Sequence, residues 1–363
     1  MSNKLCLLLS ILLTAGLLLV ACTPAAPTVA PVQPTITPAG TAAPLPDGSS
    51  IKVGLVTDTS GVNDQAFNQL AWEGIQKASQ EMGFQAKFLE SVQPSDYEMN
   101  IDALAAEGYN VIITVGSLMG DATALKAAQY PAVKFAIVDN AYAISGLANV
   151  TSLMFAEEQV GFLAGVLAGG MSGSGFVCSV SSLRTSASGG YMSSFFQGAS
   201  WQAGPEMKFM NNYINIETTD ENVPSSNDPT QGKETALRLI GEGCDVIIGI
   251  GGDAVNGALL AAKENNLPAV GADVDQYNAY PEVKDALISS AQKNVDAAVY
   301  NYLKTVADGS VKAGISTSTL QNGGVGLAPF HDWDSKIPAD LKAQIQQASD
   351  GIKDGSIKID LPQ

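Results

Sequence analysis

Two carboxylates (Asp58 and Asp64), two carboxamides (Asn63 and Asn68) and one phenyl ring (Phe67) crowd into the segment Thr57–Gly74, TDTSGVNDQAFNQLAWEG. Carboxylates and amides supply hydrogen bonds of both senses, and a phenyl ring supplies stacking area. The set suits a small neutral ligand with one flat apolar face and a polar rim. The plainer alternative is that Asn63 or Asp64 caps a helix and Phe67 packs in a core.

The segment follows an apolar run, Ile51–Val56, and leads into a helical pattern with Leu70, Ala71, Gly74, Ile75 and Ala78 on one face. That is a strand–loop–helix unit of an open α/β sheet, where ligands bind beyond the carboxyl ends of the strands. The unit repeats. Strands are predicted at Ala86–Glu90, Val111–Val115 and Lys134–Val138, with helices at Tyr97–Glu107 and Asp121–Gln129 between them. A second series follows, with strands at Phe176–Val180, Lys208–Ile214, Asp245–Ile250 and Ala269–Gly271. Its helices are expected near Ser193–Ala203, Pro229–Gly241 and Asn256–Glu264. Apolar strands alternating with amphipathic helices predict parallel sheets covered on both faces.

The expected fold class is therefore α/β, with two doubly wound parallel-sheet domains. Asn149–Met154 with the Gly/Ala-rich run after it, and Leu287–Ala291 with Asn294–Val306, fit neither half cleanly, and Leu320–Phe330 would then end in the second half. They are expected to pass between the halves as a multi-strand hinge around a cleft that can close. The first lobe is expected to take residues 51–150 and about 285–310, the second 151–284 and about 311–363. Trp72 and Trp201, on helical patterns, are expected to pack inside. His331, with nothing nearby to form a triad, reads as a surface or structural residue. No GxGxxG follows a strand and no Walker A motif occurs, which weakens a dinucleotide or nucleotide enzyme.

Upstream, residues 1–21 read as an export signal: Lys4, then the apolar stretch Leu7–Val20. Leu19-Val20-Ala21-Cys22 resembles a bacterial lipobox, with Cys22 as the lipidated mature N-terminus. The stretch is short for a bilayer span and lacks a basic stop-transfer flank. Residues 22–50, rich in Pro, Ala and Thr, form an expected linker. Such a leash spans about 30 Å as a flexible coil and approaches about 90 Å as polyproline II. The expected location is the extracytoplasmic face of the cell membrane, lipid-anchored. With 36 acidic against 19 basic residues the net charge is −17, which argues against nucleic acid or anionic lipid headgroups as partners. Cys178 and Cys244 either pair outside the cytosol or stay free in buried strands. With the single His331 they show no metal-ligand spacing, and neither a metal nor a cofactor is expected.

These residues stand in ordered motifs: Thr57-Asp58 followed by GVNDQAFNQLAWEG, then Asp121-Ala122, then Tyr130–Asp139 (YPAVKFAIVD), Phe155–Gly165 (FAEEQVGFLAG), GGDAVNGALLAAKE at 251–264, GADVDQ at 271–276, and Lys293–Asp296. In that order they resemble the substrate-binding lipoproteins of the basic membrane protein family over roughly residues 51–310. Those are ABC-transporter receptors of the type I periplasmic-binding-protein fold, among them purine nucleoside receptors. The resemblance implies a monomeric, non-enzymatic receptor handing a nucleoside to an ABC permease and its ATPase. It implies that Phe67 and Phe195 stack on the two faces of a purine. Asp139 would contact the base with Asp58 and Asn68 nearby, Asp273 and Lys293 the ribose hydroxyls, and Gly251 and Gly252 would let backbone approach the sugar. The chain departs from the family pattern at Ser194, Phe196 and Asp253, so either Phe195 or Phe196 could face the cleft. Two other functions stand beside this one: a sensory lipoprotein presenting its ligand to a membrane receptor, and a nucleoside-cleaving enzyme. The latter is disfavoured because the aspartates lie on separate strand ends without a His or Cys partner.

Overall fold

The computed structural model describes residues 44–141, 146–182, 186–214 and 229–361. The signal, Cys22 and nearly all of the linker lie outside the described residues, as does the Asp253 side chain. Leu45–Gln363 forms one compact unit that contains two six-stranded sheets.

The first sheet is built from β1 (Lys52–Val56), β2 (Gln85–Leu89), β3 (Val111–Val115), β4 (Lys134–Val138), β5 (Val150–Phe155) and β11 (Gly314–Ser318). Its order is β11-β5-β4-β3-β1-β2, and every pairing is parallel. The second contains β6 (Phe176–Ser181), β7 (Lys208–Tyr213), β8 (Val246–Ile250), β9 (Ala269–Asp273), β10 (Leu287–Lys293) and β12 (Val325–Leu327), in the order β12-β10-β9-β8-β6-β7. Only the β10–β12 pairing is antiparallel in this second set. The central strands β3, β6 and β8 are buried along their whole length, as apolar runs covered on both faces require.

The helices are α1 (Phe67–Met82), α2 (Asp96–Ala106), α3 (Gly120–Gln129), α4 (Glu157–Met171), α5 (Ser186–Ala203), α6 (Pro229–Gly241), α7 (Gly252–Glu264), α8 (Gln276–Ala279), α9 (Val295–Ala307) and α10 (Ala339–Asp354). Helix α1 buries Ala71, Gly74, Ile75 and Ala78 of the face read from the sequence. Helix α5 begins seven positions before the expected start, a shift that matters at the site.

The chain passes between the sheets after β5, after β10 and after β11. These crossings form the expected hinge, but the lobe boundaries shift. Strand β5 belongs to the first sheet, although residues from 151 onward were assigned to the second lobe. Strand β10 belongs to the second sheet and β11 to the first, each opposite to the expected division. A buried strand is apolar whichever sheet it joins, so periodicity reveals the strand without naming its neighbours.

Helices α4 and α5 approach so closely that a Cβ on Gly165 would collide with the Phe195 carbonyl oxygen, and one on Gly198 with the Phe162 carbonyl oxygen. This backbone contact draws Phe195 into the core, where it is 0% exposed. Its neighbour Phe196 is also buried and stacks on Phe209, ring centroids 4.4 Å apart. Cys178 and Cys244 are joined by a disulfide, closing a 66-residue separation between β6 and the entry to β8. Trp72 packs edge-on against Phe88 beside the core. Trp201 departs from expectation. It sits near the end of α5 with 40% of its surface exposed, because only one edge of that last turn meets Phe162.

Gly165→Ala should destabilise the protein by about 1–3 kcal/mol through overpacking against backbone that has no rotamer to yield. Gly189→Ala, in α5 with open space around it, should instead stabilise by up to about 1 kcal/mol through helix propensity. Denaturant unfolding of both variants checks the pair; equal effects would contradict the close α4–α5 contact.

Candidate functional site

The carboxyl ends of β1, β3 and β4 in one sheet and of β8, β9 and β10 in the other open onto a single cavity of about 660 Å³. That volume is in the range of small-molecule sites.

On the first-sheet side the loop after β1 is organised around Asp64. Its carboxylate accepts hydrogen bonds from the backbone N–H groups of Ala66, Asn68 and Gln69, so it caps α1. The capping alternative is therefore what the structure shows for Asp64. Asn68 is 1% exposed, and its Nδ2 donates to Asp58 Oδ1 at 2.8 Å and to Asp64 Oδ2 at 2.9 Å. With both amide hydrogens taken by carboxylates the orientation of the amide is fixed. Its Oδ1 is buried with no hydrogen-bond partner among the described residues. Phe67, the first residue of α1, is half-buried and turns its ring to the cavity.

Two of the cavity carboxylates sit on unusual backbone. Asp139, just past β4, has φ 59°, and Asp273, the last residue of β9, has φ 69°. Aspartate tolerates this left-handed region better than most side chains, and such strain collects at functional sites. Gly251, between β8 and α7, has φ 99°, and a Cβ there would also strike Ser182 Oγ. The glycine lets α7 begin at the cavity wall.

Lys293 ends β10, immediately before a crossing. It is 3% exposed, and its Nζ lies 2.9 Å from Asp139 Oδ2, 2.9 Å from Glu157 Oε1 and 3.7 Å from Asp273 Oδ1. The ammonium also stands over three rings, at 5.4 Å from the Phe67 centroid and 5.7 Å from those of Phe155 and Tyr191. Burial alone would lower its pKa, but Asp139, Glu157 and Asp273 together hold it well above the ordinary lysine value. Burial raises the Glu157 carboxyl; Lys293 opposes the shift and Asp139 adds to it. Asp273 is raised for the same reasons, burial first. The Tyr191 hydroxyl donates to Ala291 O at 3.1 Å and lies 3.3 Å from Asp273 Oδ1, bracing that carboxylate.

Of the residues singled out from sequence, Asp58, Phe67, Asn68, Asp139, Gly251, Gly252, Asp273 and Lys293 all line this cavity. Phe195 does not, and neither does Phe196. Tyr191 stands one helical turn before Phe195 on the same face of α5, and it is Tyr191 that reaches the cavity. The glycines and serines around residue 189 hid the early start of the helix, and with it this tyrosine. Glu157 was also missed as a charged partner. Its one signal was an acidic residue opening a helix straight after a crossing strand. His331 is structural: Nε2 lies 2.9 Å from Asp275 Oδ2, and the ring stacks on Tyr277 at 4.0 Å.

Among the described residues the cavity carboxylates pair with Lys293, Asn68 or backbone. The family model described as "ABC transporter substrate-binding protein PnrA-like" matches residues 51–360. The chain belongs to that family. A nucleoside-binding ABC transporter protein of Lactococcus lactis is 28% identical over 330 residues, 86% of this chain and 89% of the relative. A lipoprotein of Pyrococcus horikoshii is 28% identical over 292 residues, 77% of this chain and 69% of that one. An ABC-transporter solute-binding protein of Aeropyrum pernix superposes with a TM-score of 0.69 at 25% identity, covering 86% of this chain and 94% of the other. This PnrA-like chain thus has the α/β two-lobed architecture expected of it, with a cavity between its strand ends.

Lys293→Met keeps the aliphatic stem and leaves three carboxylates without their shared cation, so it should cost about 3–5 kcal/mol at neutral pH. Glu157 and Asp273, already raised, would then rise further, and the folded state would bind protons more readily than the unfolded. Stability lost by the variant should therefore return as pH falls through those raised values toward the ordinary carboxylate range. Urea unfolding across pH checks this; a deficit independent of pH would mean the ammonium does not hold the carboxylates.

Proposed function

We propose that this substrate-binding protein captures a purine nucleoside in the interlobe cavity and presents it to an ABC permease and its ATPase. The observation that carries the reading is the pairing of an aromatic wall, Phe67, with a polar end where, among the described residues, carboxylates outnumber the one cation, Lys293. A base stacks on the ring, and its rim meets Asp58 and Asp139. A ribose diol suits Asp273 and Lys293, an acceptor and a donor side by side. Excess negative charge disfavours phosphorylated ligands, which favours a nucleoside over a nucleotide. The Lactococcus lactis relative's name supports the same substrate class. Tyr191, rather than Phe195, is the α5 aromatic placed to meet the ligand. The binding unit acts as a monomer whose lobes close on the ligand about the three crossings.

Phe67→Ala should weaken adenosine and adenine alike, by about 1–3 kcal/mol of stacking. Asp273→Asn should weaken adenosine by about 1–3 kcal/mol and leave adenine nearly unchanged. Calorimetry on the wild type and both variants separates the roles. Equal loss of adenine and adenosine in Asp273→Asn would overturn the ribose assignment, and a wild type that binds no purine would overturn the nucleoside reading.

The reading also places the protein on the outer face of the membrane, tethered through Cys22 by a flexible linker, in keeping with its lipoprotein relative. Cys22→Ala should lose acyl labelling and move to the soluble fraction after cell fractionation. Retention in the membrane would instead make the apolar leader an uncleaved anchor.

A further inference from the structure

Glu157 does not line the cavity, yet it holds Lys293, the one cation among the described residues that does. It opens α4 directly after the first crossing, is 8% exposed, and places Oε1 2.9 Å from Lys293 Nζ. The ammonium has three hydrogens to give. Asp139 accepts one from the first-sheet side at 2.9 Å, whereas Asp273 is farther away at 3.7 Å. Without Glu157 the ammonium would be shared between Asp139 and Asp273 alone, neutralising both acceptors and turning its remaining donor from the cavity.

We propose that Glu157 is a positioning residue for ligand recognition: it draws Lys293 toward the hinge, so that the cavity keeps a cationic donor beside the Asp273 acceptor, which Lys293 approaches only to 3.7 Å. The groups that act on Glu157 are Lys293 from β10, Asp139 just past β4 and Tyr191 from α5, with Glu158 next to it on α4. All but Lys293 are acidic or neutral, so the carboxylate is maintained against burial and repulsion, and its pKa is raised accordingly.

Glu157→Gln keeps the shape and removes the charge, and two measurements decide the matter. The first needs no ligand. Because the folded-state pKa of Glu157 is raised, its carboxylate lowers wild-type stability as pH rises through that value. The variant should therefore match the wild type near about pH 4.5 and be the more stable of the two near about pH 7.5. A variant less stable at the higher pH would show a structural role and overturn the proposal. The second measurement rests on the nucleoside reading. Inosine affinity should fall about tenfold in the variant, while hypoxanthine, which lacks the ribose, should change less than about twofold. Wild-type affinity for inosine should also weaken toward low pH, with a shallower slope in the variant, where the raised Asp273 carboxyl still titrates. Unchanged inosine affinity in Glu157→Gln would overturn the proposal. If the wild type binds neither compound, the nucleoside reading fails, and the ligand-free measurement still decides the role of Glu157.

Discussion

One ammonium group holds the centre of this molecule together. Lys293 sits where strand ends from both sheets meet a crossing, and the carboxylates around it come from β4's end, the start of α4 and the end of β9. Three negative groups converge there only because one positive group lies among them. A buried cluster of this kind contributes little net stability compared with apolar packing. What it supplies is a fixed arrangement of charge at the bottom of a cleft, set by backbone from both lobes.

The rest of the fold keeps that arrangement in place. Parallel strands in both sheets bring their carboxyl ends to a common level, so side chains distant in sequence, such as Asp58 and Lys293, share one cavity. The close backbone contact between α4 and α5 fixes Glu157 at one helix end and Tyr191 near the other's start, each against the second sheet. Asp64 spends its carboxylate on the first turn of α1, which orients Phe67 and Asn68. Each wall of the cavity is thus held by an element whose own packing is satisfied elsewhere.

Much of this was legible in the sequence. The βα repeats gave strand and helix positions closely, since apolar runs and amphipathic faces are local signals, and the ordered motifs located eight of the cavity residues. What was not legible depended on tertiary neighbours. Sheet membership of β5, β10 and β11 is decided by pairing, which composition does not record. Phe195 was the right face of the right helix but one turn too far along, because glycine and serine concealed where α5 begins. Whether Cys178 and Cys244 pair is a question of distance, and the structure brings them together. The role of Glu157 depends on Lys293, 136 positions away in sequence yet in ion-pair contact in space.

The left-handed backbone at Asp139 and Asp273 bears on how such a site can diversify. At these positions φ is 59° and 69°, a region where Asn and Asp are enriched and bulky or β-branched residues are true outliers. Evolution toward another ligand is therefore steered at these two points toward Asp, Asn and Gly, because each longer or branched side chain must first overcome the backbone. Exchanging Asp for Asn replaces one acceptor oxygen with a donor nitrogen while shape stays constant. The geometry of the main chain restricts the alphabet of the binding site, and new specificities can be written at these positions as changes in hydrogen-bond polarity rather than in size.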